Sequence, residues 1–411
     1  MGRLGEALSV YRGFQRPVYA VVGARFVNVL GSGIVYPYFT IHFYEALQIP
    51  FSIVGLALLA NNVMLATGTL AGGVLADRYG RRPIMVASMG SSAVTLAAYS
   101  VVRTGPVLIG VAAAAGFTAG LYAPASQAIL ADLTDSADRE RAYGLLKVAS
   151  NVGFGSGFVV GGVLYELART SIFVLDGITS GVVAVLLFFI LPRVHDGGDT
   201  SVRATVRGWT RAIARPRLLG LAGLNVLFAI AYAQMQSTVP AFATETLGMN
   251  SAEIGTLFLI NPLTVVLLQL PVVAAVERWR RTRGLLLSTA FWAASFVAIL
   301  LAYQTGTLVG IGLVGLFLFL RTMGENLHSP LVTSLASDMA EMETRGSQLS
   351  LLEVAKRLGF GIGPVIGGVF FDAGRDELLW PTLIGLCGLL AVGILALERT
   401  VSARENRGSS T

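Results

Sequence analysis

The sequence predicts an all-α membrane protein built as two duplicated six-helix bundles, and three observations carry this prediction. The first is composition, because 54% of the 411 residues are hydrophobic and only 13% are charged. Soluble domains carry about a quarter charged residues, and the mean hydropathy here is +0.69. The second observation is a series of long apolar segments, and the third is an internal repeat.

Twelve segments are apolar enough to cross a bilayer, which takes about 20 helical residues for roughly 30 Å of hydrocarbon. They lack the period-two alternation of barrel strands, so we predict helices. The 48 glycines suit close helix contacts in lipid. The predicted spans, six in each half, are 17–41, 52–76, 83–102, 106–131, 143–168, 172–192, 217–243, 252–276, 284–303, 307–335, 349–372 and 378–397.

The internal repeat joins residues 145–166 to residues 351–372. Twelve of these 22 aligned positions are identical, and 206 residues separate the two copies. Asp132 and Asp338 keep the same interval. The chain therefore reads as one unit of roughly 200 residues written twice. Because six crossings return the chain to its starting side, the two bundles are predicted to be parallel repeats.

The predicted domains follow from this repeat. Residues 1–192 form the first bundle, 193–216 a cytoplasmic linker and 217–411 the second bundle. The linker is rich in Gly, Asp, Ser and Arg. A short amphipathic surface helix is expected there, around Val206 and Trp209.

The charge distribution predicts topology. The net charge is +6, and 25 of the 30 basic residues fall in loops or helix ends on one predicted side. Arg103, Arg169 and Arg375 lie on the other. This bias predicts a multi-pass protein of the inner (cytoplasmic) membrane with both termini cytoplasmic, and it explains the basic pI without a nucleic-acid partner. The one cysteine excludes disulfides within the chain. The first span is expected to be an uncleaved anchor.

The loop after the second span reads GVLADRYGRRP over residues 73–83. Gly73 permits close helix packing, and Gly80 permits a tight turn. Asp77 ends a helix beside basic residues and can cap a neighbouring helix N-terminus. An ordinary basic loop with a helix stop is the alternative.

This loop resembles the signature loop of the major facilitator superfamily, which lies between the second and third helices. The resemblance implies that Asp77, Arg78 and Arg81 latch the two halves in the outward-open state, with Gly73 and Gly80 shaping the loop. It also implies that Asp132, at the cytoplasmic end of the fourth helix, shares the charge network. The corresponding loop of the second half, residues 277–281, keeps the acid-then-base order without the glycines.

The repeat itself resembles the antiporter motif of the fifth helix in this superfamily. The first copy has Phe158 where antiporters have proline, and the second copy has the intact pattern. We expect the glycine face of the fifth helix to pack against a helix of the other half; ordinary small-residue packing is the alternative. The predicted packing residues are Gly153, Gly157, Gly161, Gly162, Gly359, Gly363, Pro364 and Gly367. The fourth span lacks the arginine that the family links to proton transfer.

Polar residues recur along the first and seventh spans with matching spacings of 7 and 11 residues. A helix turns about 100° per residue, so each set shares one face. In this superfamily helices 1, 4, 7 and 10 line the cavity; hydrogen bonding between helices is the alternative. The predicted substrate-binding residues are Arg25, Asn28, Ser32, Tyr36, Tyr122, Asn225, Tyr232, Gln236 and Asn326.

The tenth span carries three ionisable residues on one face, Arg321, Glu325 and His328. Arg321 and Glu325 are spaced i, i+4 and can pair. Burial favours the neutral acid whereas the arginine favours the carboxylate, so Glu325 is predicted to exchange a proton. His328 is a second candidate, and a static ion pair is the alternative. Asp176, near the predicted outer end of the sixth span, is expected to reach the interface.

The resemblance covers the whole chain and is nearest to the 12-helix drug:proton antiporters. It implies a monomeric secondary transporter that exports hydrophobic or amphipathic small molecules by alternating access, coupled to protons. Proton-coupled uptake and lipid or lysolipid translocation are the alternatives on the same fold. No HExxH, GxSxG or paired-aspartate motif suggests an enzyme, and neither a cofactor nor a metal is expected.

Overall fold

The computed structural model describes residues 13–192, 214–340 and 345–407. Within these ranges the chain forms helices joined by short connections, without a strand. Most of the predicted linker, including the amphipathic helix expected around Val206 and Trp209, lies outside the described residues.

Twelve helices in the described ranges are long and apolar enough to cross a membrane, which confirms the predicted number and class. After the first of these helices the chain continues through a π-helical segment, Ile41–Ala46. A short last helix, α13, spans Ala403–Asn406. The spans are α1 (Arg16–Val35), α2 (Phe51–Tyr79), α3 (Arg81–Val101), α4 (Gly105–Asp132), α5 (Arg141–Leu167), α6 (Ser171–Ile190), α7 (Pro216–Glu245), α8 (Ser251–Val276), α9 (Arg281–Ala302), α10 (Thr307–Met339), α11 (Gln348–Asp372) and α12 (Asp376–Glu398).

These helices form two compact units. Of the described residues, the first unit contains 13–38 and 63–192. The second unit contains 39–62, 214–340 and 345–407. The first part of α2 therefore packs with helices of the second half of the chain.

The first unit has an apolar core formed by α1, α3, α4 and α6. Val21, Met85, Ile129 and Leu187 are fully buried there and belong to one cluster. Each helix contributes one face, and the remaining apolar side chains face outward, as expected of helices in lipid. This core fixes the positions of the polar side chains that α1 carries.

The glycine face of α5 packs on α1 of the same unit. A Cβ added at Gly153 would lie 2.7 Å from a carbonyl oxygen of α1, and one at Gly157 would lie 2.5 Å from Leu30 O. Gly161 meets α1 in the same way, and Gly33 brings its own Cα against Gly157. The expectation that this face meets the other half is therefore wrong for these three glycines. Helix backbones approach this closely only where both helices present small residues, and α1 supplies such a face at Gly33.

The second copy of the motif packs on α7 in the second unit. Gly359, Gly363 and Gly367 all lie against α7, and a Cβ at Gly363 would come within 2.8 Å of an α7 carbonyl oxygen. A different face of α11 contacts α2, because a Cβ at Gly55 would lie 2.6 Å from Pro364 O. Helix α11 is therefore held on two sides by close backbone contact.

The loop between α2 and α3 turns at Gly80, as expected. Gly80 has φ 92° and ψ 152° and precedes α3, a conformation that favours glycine. The expectation for Gly73 is wrong, because within the described residues a Cβ there would meet no atom within 4 Å. The close contact is at Gly72, where a Cβ would lie 2.7 Å from Leu121 Cα. One residue turns the contact face by about 100°, so a motif match alone does not fix it.

Two caps tie helix ends together in the second unit. The carboxylate of Asp372, at the end of α11, accepts from the backbone N–H of Phe51 at 2.7 Å and of Ser52 at 2.9 Å. These donors open α2, so the carboxylate satisfies free N–H groups and faces the positive end of the helix dipole. At the other cap, Asn406 of α13 is buried. Its Oδ1 accepts from the backbone N–H of Thr282, in the first turn of α9, at 3.1 Å.

Candidate functional site

An ion pair buried in α10 is the centre of the candidate site. Arg321 Nη1 lies 2.9 Å from Glu325 Oε2, so the i, i+4 pair expected from the spacing forms. Arg321 is 1% exposed, whereas the Glu325 side chain is 23% exposed. The arginine is thus sealed in protein, and the carboxylate keeps limited access to the surroundings.

Glu325 also bonds to α7 and α8. The hydroxyl of Tyr232, in α7, donates to Glu325 Oε1. Asn261, in α8, donates to Glu325 Oε2 at 3.4 Å and to Thr322 Oγ1 at 2.8 Å. The guanidinium carbon of Arg321 lies 3.9 Å from the centre of the Tyr232 ring, a cation–π contact. One carboxylate thus connects three helices.

The hydrogen bonding of Arg321 is incomplete. Its Nε and Nη2 are buried without an acceptor among the described residues. An arginine side chain keeps its proton in proteins, so its positive charge is permanent.

Two adjoining cavities lie beside this network in the second unit. The first has aromatic walls formed by Phe228, Tyr232, Trp292 and Phe360, with Glu325 at its edge. The second has a volume of about 230 Å³. Since pockets for drug-sized ligands measure about 300–1,000 Å³, the second cavity holds several waters or part of a ligand. Residues shared by both cavities are Asn225, His328, Ser329 and Lys356.

His328 lies at the junction of the two cavities. Its ring centre is 4.1 Å from that of Phe228 and 5.6 Å from that of Trp292. Its Nε2 is buried and has no hydrogen-bond partner in the part of the chain that the structure describes. His328 therefore belongs to the aromatic wall and is not bonded to Glu325.

The predicted polar face of α1 makes contacts inside the first unit. Arg25 Nε donates to a serine hydroxyl of α5 at 2.9 Å, and Asn28 donates to a methionine sulfur of α3 at 3.7 Å. Ser32 bonds back to the Asn28 carbonyl at 3.2 Å. Tyr36 packs edge-on against a phenylalanine of α5, and Tyr122 is buried in the apolar core. Within the first unit these side chains therefore make hydrogen bonds and packing contacts between helices, and their role in substrate binding stays a prediction.

The predicted residues of α7 and α10 occupy different surroundings. Asn225 lines both cavities and donates to the Leu352 carbonyl of α11 at 3.0 Å. Gln236 is half-buried, and its Oε1 is without a partner among the described residues. Asn326 is buried and donates to a carbonyl of α8 at 3.4 Å. The structure thus brings Asn225 and Tyr232 to the cavities and turns Asn326 toward α8.

The predicted latch residues are only partly brought together. Arg81, at the start of α3, pairs with Asp132, at the end of α4. Asp77 is half-buried and takes part in no ion pair within the described ranges, and Arg78 lies over a neighbouring tyrosine ring. The second unit repeats the arrangement at the start of α9, where an arginine Nη1 lies 2.6 Å from Asp338 Oδ2. Asp132 and Asp338 are the equivalent positions of the repeat.

Comparison with known proteins agrees with this architecture. The family model described as Major Facilitator Superfamily matches residues 21–250 and 221–410. The chain belongs to the major facilitator superfamily. Superfamily members carry small molecules across membranes, so this is a multi-pass membrane transporter.

Several relatives align over most of the chain. The uncharacterized MFS-type transporter YttB of Bacillus subtilis is 25% identical over 394 residues, which cover 95% of this chain and 97% of YttB. The multidrug resistance protein MdtH of Yersinia enterocolitica is 25% identical over 373 residues, which cover 89% of this chain and 90% of MdtH.

Solved structures of superfamily members share the fold at low sequence identity. The nucleoside transporter NupG has a TM-score of 0.78 at 13% identity, covering 94% of this chain and 100% of NupG. The peptide transporter POT in complex with sulfate has a TM-score of 0.79 at 16% identity, covering 97% of each chain. These similarities bear on the fold alone.

Part of the site was not predicted from the sequence. Trp292, Phe228 and Phe360 carry no local sign of function, because aromatic residues in membrane spans are usually packing residues. Lys356 is one of the 25 basic residues that the charge distribution assigns to the cytoplasmic side, yet the structure places it more than two turns into α11, at both cavities. The chain has only two lysines, and this rarity was the one sequence feature that could have drawn attention to Lys356.

Proposed function

We propose that this superfamily member is a proton-coupled exporter of hydrophobic or amphipathic small molecules that works by alternating access. The observation that carries the proposal is the position of Glu325. It is the partly exposed partner of a sealed arginine, and it bonds to α7 and α8 as well.

Protonation of Glu325 would change the contacts between helices. A neutral Glu325 leaves Arg321 as an uncompensated buried cation, which costs about 3–5 kcal/mol when one partner of a buried pair is lost. The helices must then rearrange to solvate or re-pair the arginine. One elementary charge crossing 100 mV supplies about 2.3 kcal/mol, so a membrane potential together with a pH gradient is of the magnitude required.

The cavity walls support the proposed substrate class. Aromatic rings favour flat apolar groups through stacking and burial. Lys356, which lines both cavities, supplies a positive charge for a polar end. The description of MdtH as a multidrug resistance protein supports the same class.

The test is transport by the purified protein in proteoliposomes with an imposed pH gradient and a panel of lipophilic cations and neutral drugs. We expect Glu325→Gln to abolish gradient-driven transport while ligand binding is kept. The control is Glu377→Gln, an exposed carboxylate in the first turn of α12, which should transport like the wild type. Gradient-driven transport retained in Glu325→Gln would rule out this carrier, and accumulation in the uptake direction would favour the alternative of import.

We further propose that the protein lies in the bacterial inner membrane with both termini cytoplasmic. The support is the arginine bias of the loops and the bacterial origin of the relatives. Cysteine labelling with a membrane-impermeant reagent tests this placement. A cysteine replacing Arg404 should be protected in intact cells, and one replacing Arg375 should be labelled; the reverse result would refute the orientation.

A further inference from the structure

The first unit contains its own buried carboxyl group, Asp176. It lies five residues into α6, about 8 Å from the helix start at 1.5 Å per residue. The residue is 2% exposed, and its Oδ1 has no hydrogen-bond partner among the described residues. The expectation that Asp176 reaches the membrane interface is therefore wrong. The side chain turns into the unit because a glycine of α1 leaves room for it.

The carboxyl group rests directly on the backbone of α1. A Cβ added at Gly31 would overlap Asp176 Oδ1 and would lie 2.5 Å from Thr179 Oγ1. The Thr179 hydroxyl donates to the backbone carbonyl of Asp176 at 2.9 Å and so is already used. Ser180, on the next turn, is fully buried, and its hydroxyl has no partner in the described ranges. Backbone, hydroxyls and apolar side chains thus surround the group.

Tyr99 of α3 is a titratable group that interacts with Asp176 from a neighbouring helix. Within the described residues Asp176 takes part in no ion pair with a basic side chain, and burial is the main influence on its carboxyl group.

These surroundings determine which form of Asp176 is stable. An ionised carboxylate without a countercharge or water is strongly disfavoured in a protein interior, whereas a neutral acid is tolerated and also gains an O–H donor. This packing therefore favours the protonated acid. Because the Gly31 backbone lies against the carboxyl group on the α1 side, a small displacement of α1 would admit water.

We infer that Asp176 is a proton-binding site controlled by the contact between α1 and α6. The carboxylic acid keeps its proton while Gly31 covers it. When α1 moves away, the O–H bond breaks, the proton passes to water and the hydrated carboxylate remains. The site does not depend on the proposed export function, because proton binding here follows from packing inside the first unit.

Infrared difference spectroscopy of the full-length protein in lipid nanodiscs, titrated with pH, tests the inference. All variants carry Glu325→Gln, so that Glu325 does not contribute. We expect a carbonyl-stretch band of an un-ionised carboxylic acid that fades as the pH rises and is lost in Asp176→Asn. Gly31→Ala should push α1 from α6 and make the band fade at lower pH. Gly23→Ala lies in the same helix, but an added Cβ there has nothing within 4 Å. Its band should therefore fade over the same pH range as in the protein that carries Glu325→Gln alone.

Two outcomes would overturn the inference. One is a spectrum that Asp176→Asn leaves unchanged, since the group would then be ionised in the folded protein. The other is a band that is lost in Asp176→Asn but changes neither with pH nor with Gly31→Ala, since the acid would then never release its proton. If Asp176→Asn does not fold, the pH dependence of the band in Gly31→Ala, compared with that in Gly23→Ala, still tests the inference. No readout requires transport, so a failure of proton-driven export is distinguishable from a failure here.

Discussion

The buried ion pair of α10 predicts an asymmetry between its two members: Glu325→Gln should destabilise the protein more than Arg321→Met. In Glu325→Gln the arginine, 1% exposed, loses its counter-charge and cannot release its proton. In Arg321→Met the remaining carboxylate, 23% exposed, can bind a proton and become neutral. The loss of stability therefore depends on which of the two charged groups remains buried without its partner.

The magnitudes follow from the contacts. Removing one partner of a buried pair costs about 3–5 kcal/mol, and glutamine can keep bonds to Tyr232 and Asn261, so Glu325→Gln should lie near 3 kcal/mol. Arg321→Met loses the stacking of the guanidinium on Tyr232, worth about 1–2 kcal/mol when desolvated, while methionine fills most of the space. The expected difference of about 1.5 kcal/mol corresponds to roughly a tenfold change in the unfolding equilibrium.

The assay is equilibrium unfolding of the purified protein in mixed micelles, followed by tryptophan fluorescence. The double variant should be more stable than Glu325→Gln alone, because methionine removes the unpaired cation. Glu377→Gln, an exposed carboxylate, should stay within about 0.5 kcal/mol of the wild type. Equal losses in the two single variants, or no recovery in the double variant, would refute the reasoning.

Three further predictions concern packing and caps. Gly157→Ala would place a methyl group 2.5 Å from an α1 carbonyl oxygen and should cost about 1–3 kcal/mol by overpacking. Gly90→Ala meets nothing within 4 Å and should be neutral or stabilising by about 0.5–1 kcal/mol; equal unfolding midpoints would contradict this contrast. Asn406→Ala removes a buried acceptor from the first turn of α9 and should cost about 1–3 kcal/mol. The exposed Arg404→Ala of the same short helix should change little, and a loss as large as that of Asn406→Ala would refute the capping role. Asp372→Asn weakens the cap on α2 and should speed hydrogen exchange of the first α2 amides; unchanged exchange would count against the cap.

Local features of the sequence determined the elements and part of the site. Apolar length alone predicts the twelve helices, since the bilayer requires each span to satisfy its own backbone. The Arg321–Glu325 pair follows from i, i+4 geometry, and the turn at Gly80 follows from the conformation that glycine tolerates. The repeat predicts that Asp132 and Asp338 are equivalent, and both bind an arginine at the start of a helix in their own unit. Each of these inferences needs only neighbours along one helix, or an internal copy.

Only the tertiary structure decided which helix faces which. The glycine stripe of α5 predicts close contact but carries no information about the partner, so the choice of α1 could not be deduced. Tyr232 meets Glu325 across 93 residues, and Asp372 meets Phe51 across 321. The orientation of Asp176 depended on a missing side chain at Gly31 in another helix. Such contacts are fixed by how whole helix surfaces fit together, and periodicity along a single helix cannot specify its neighbour.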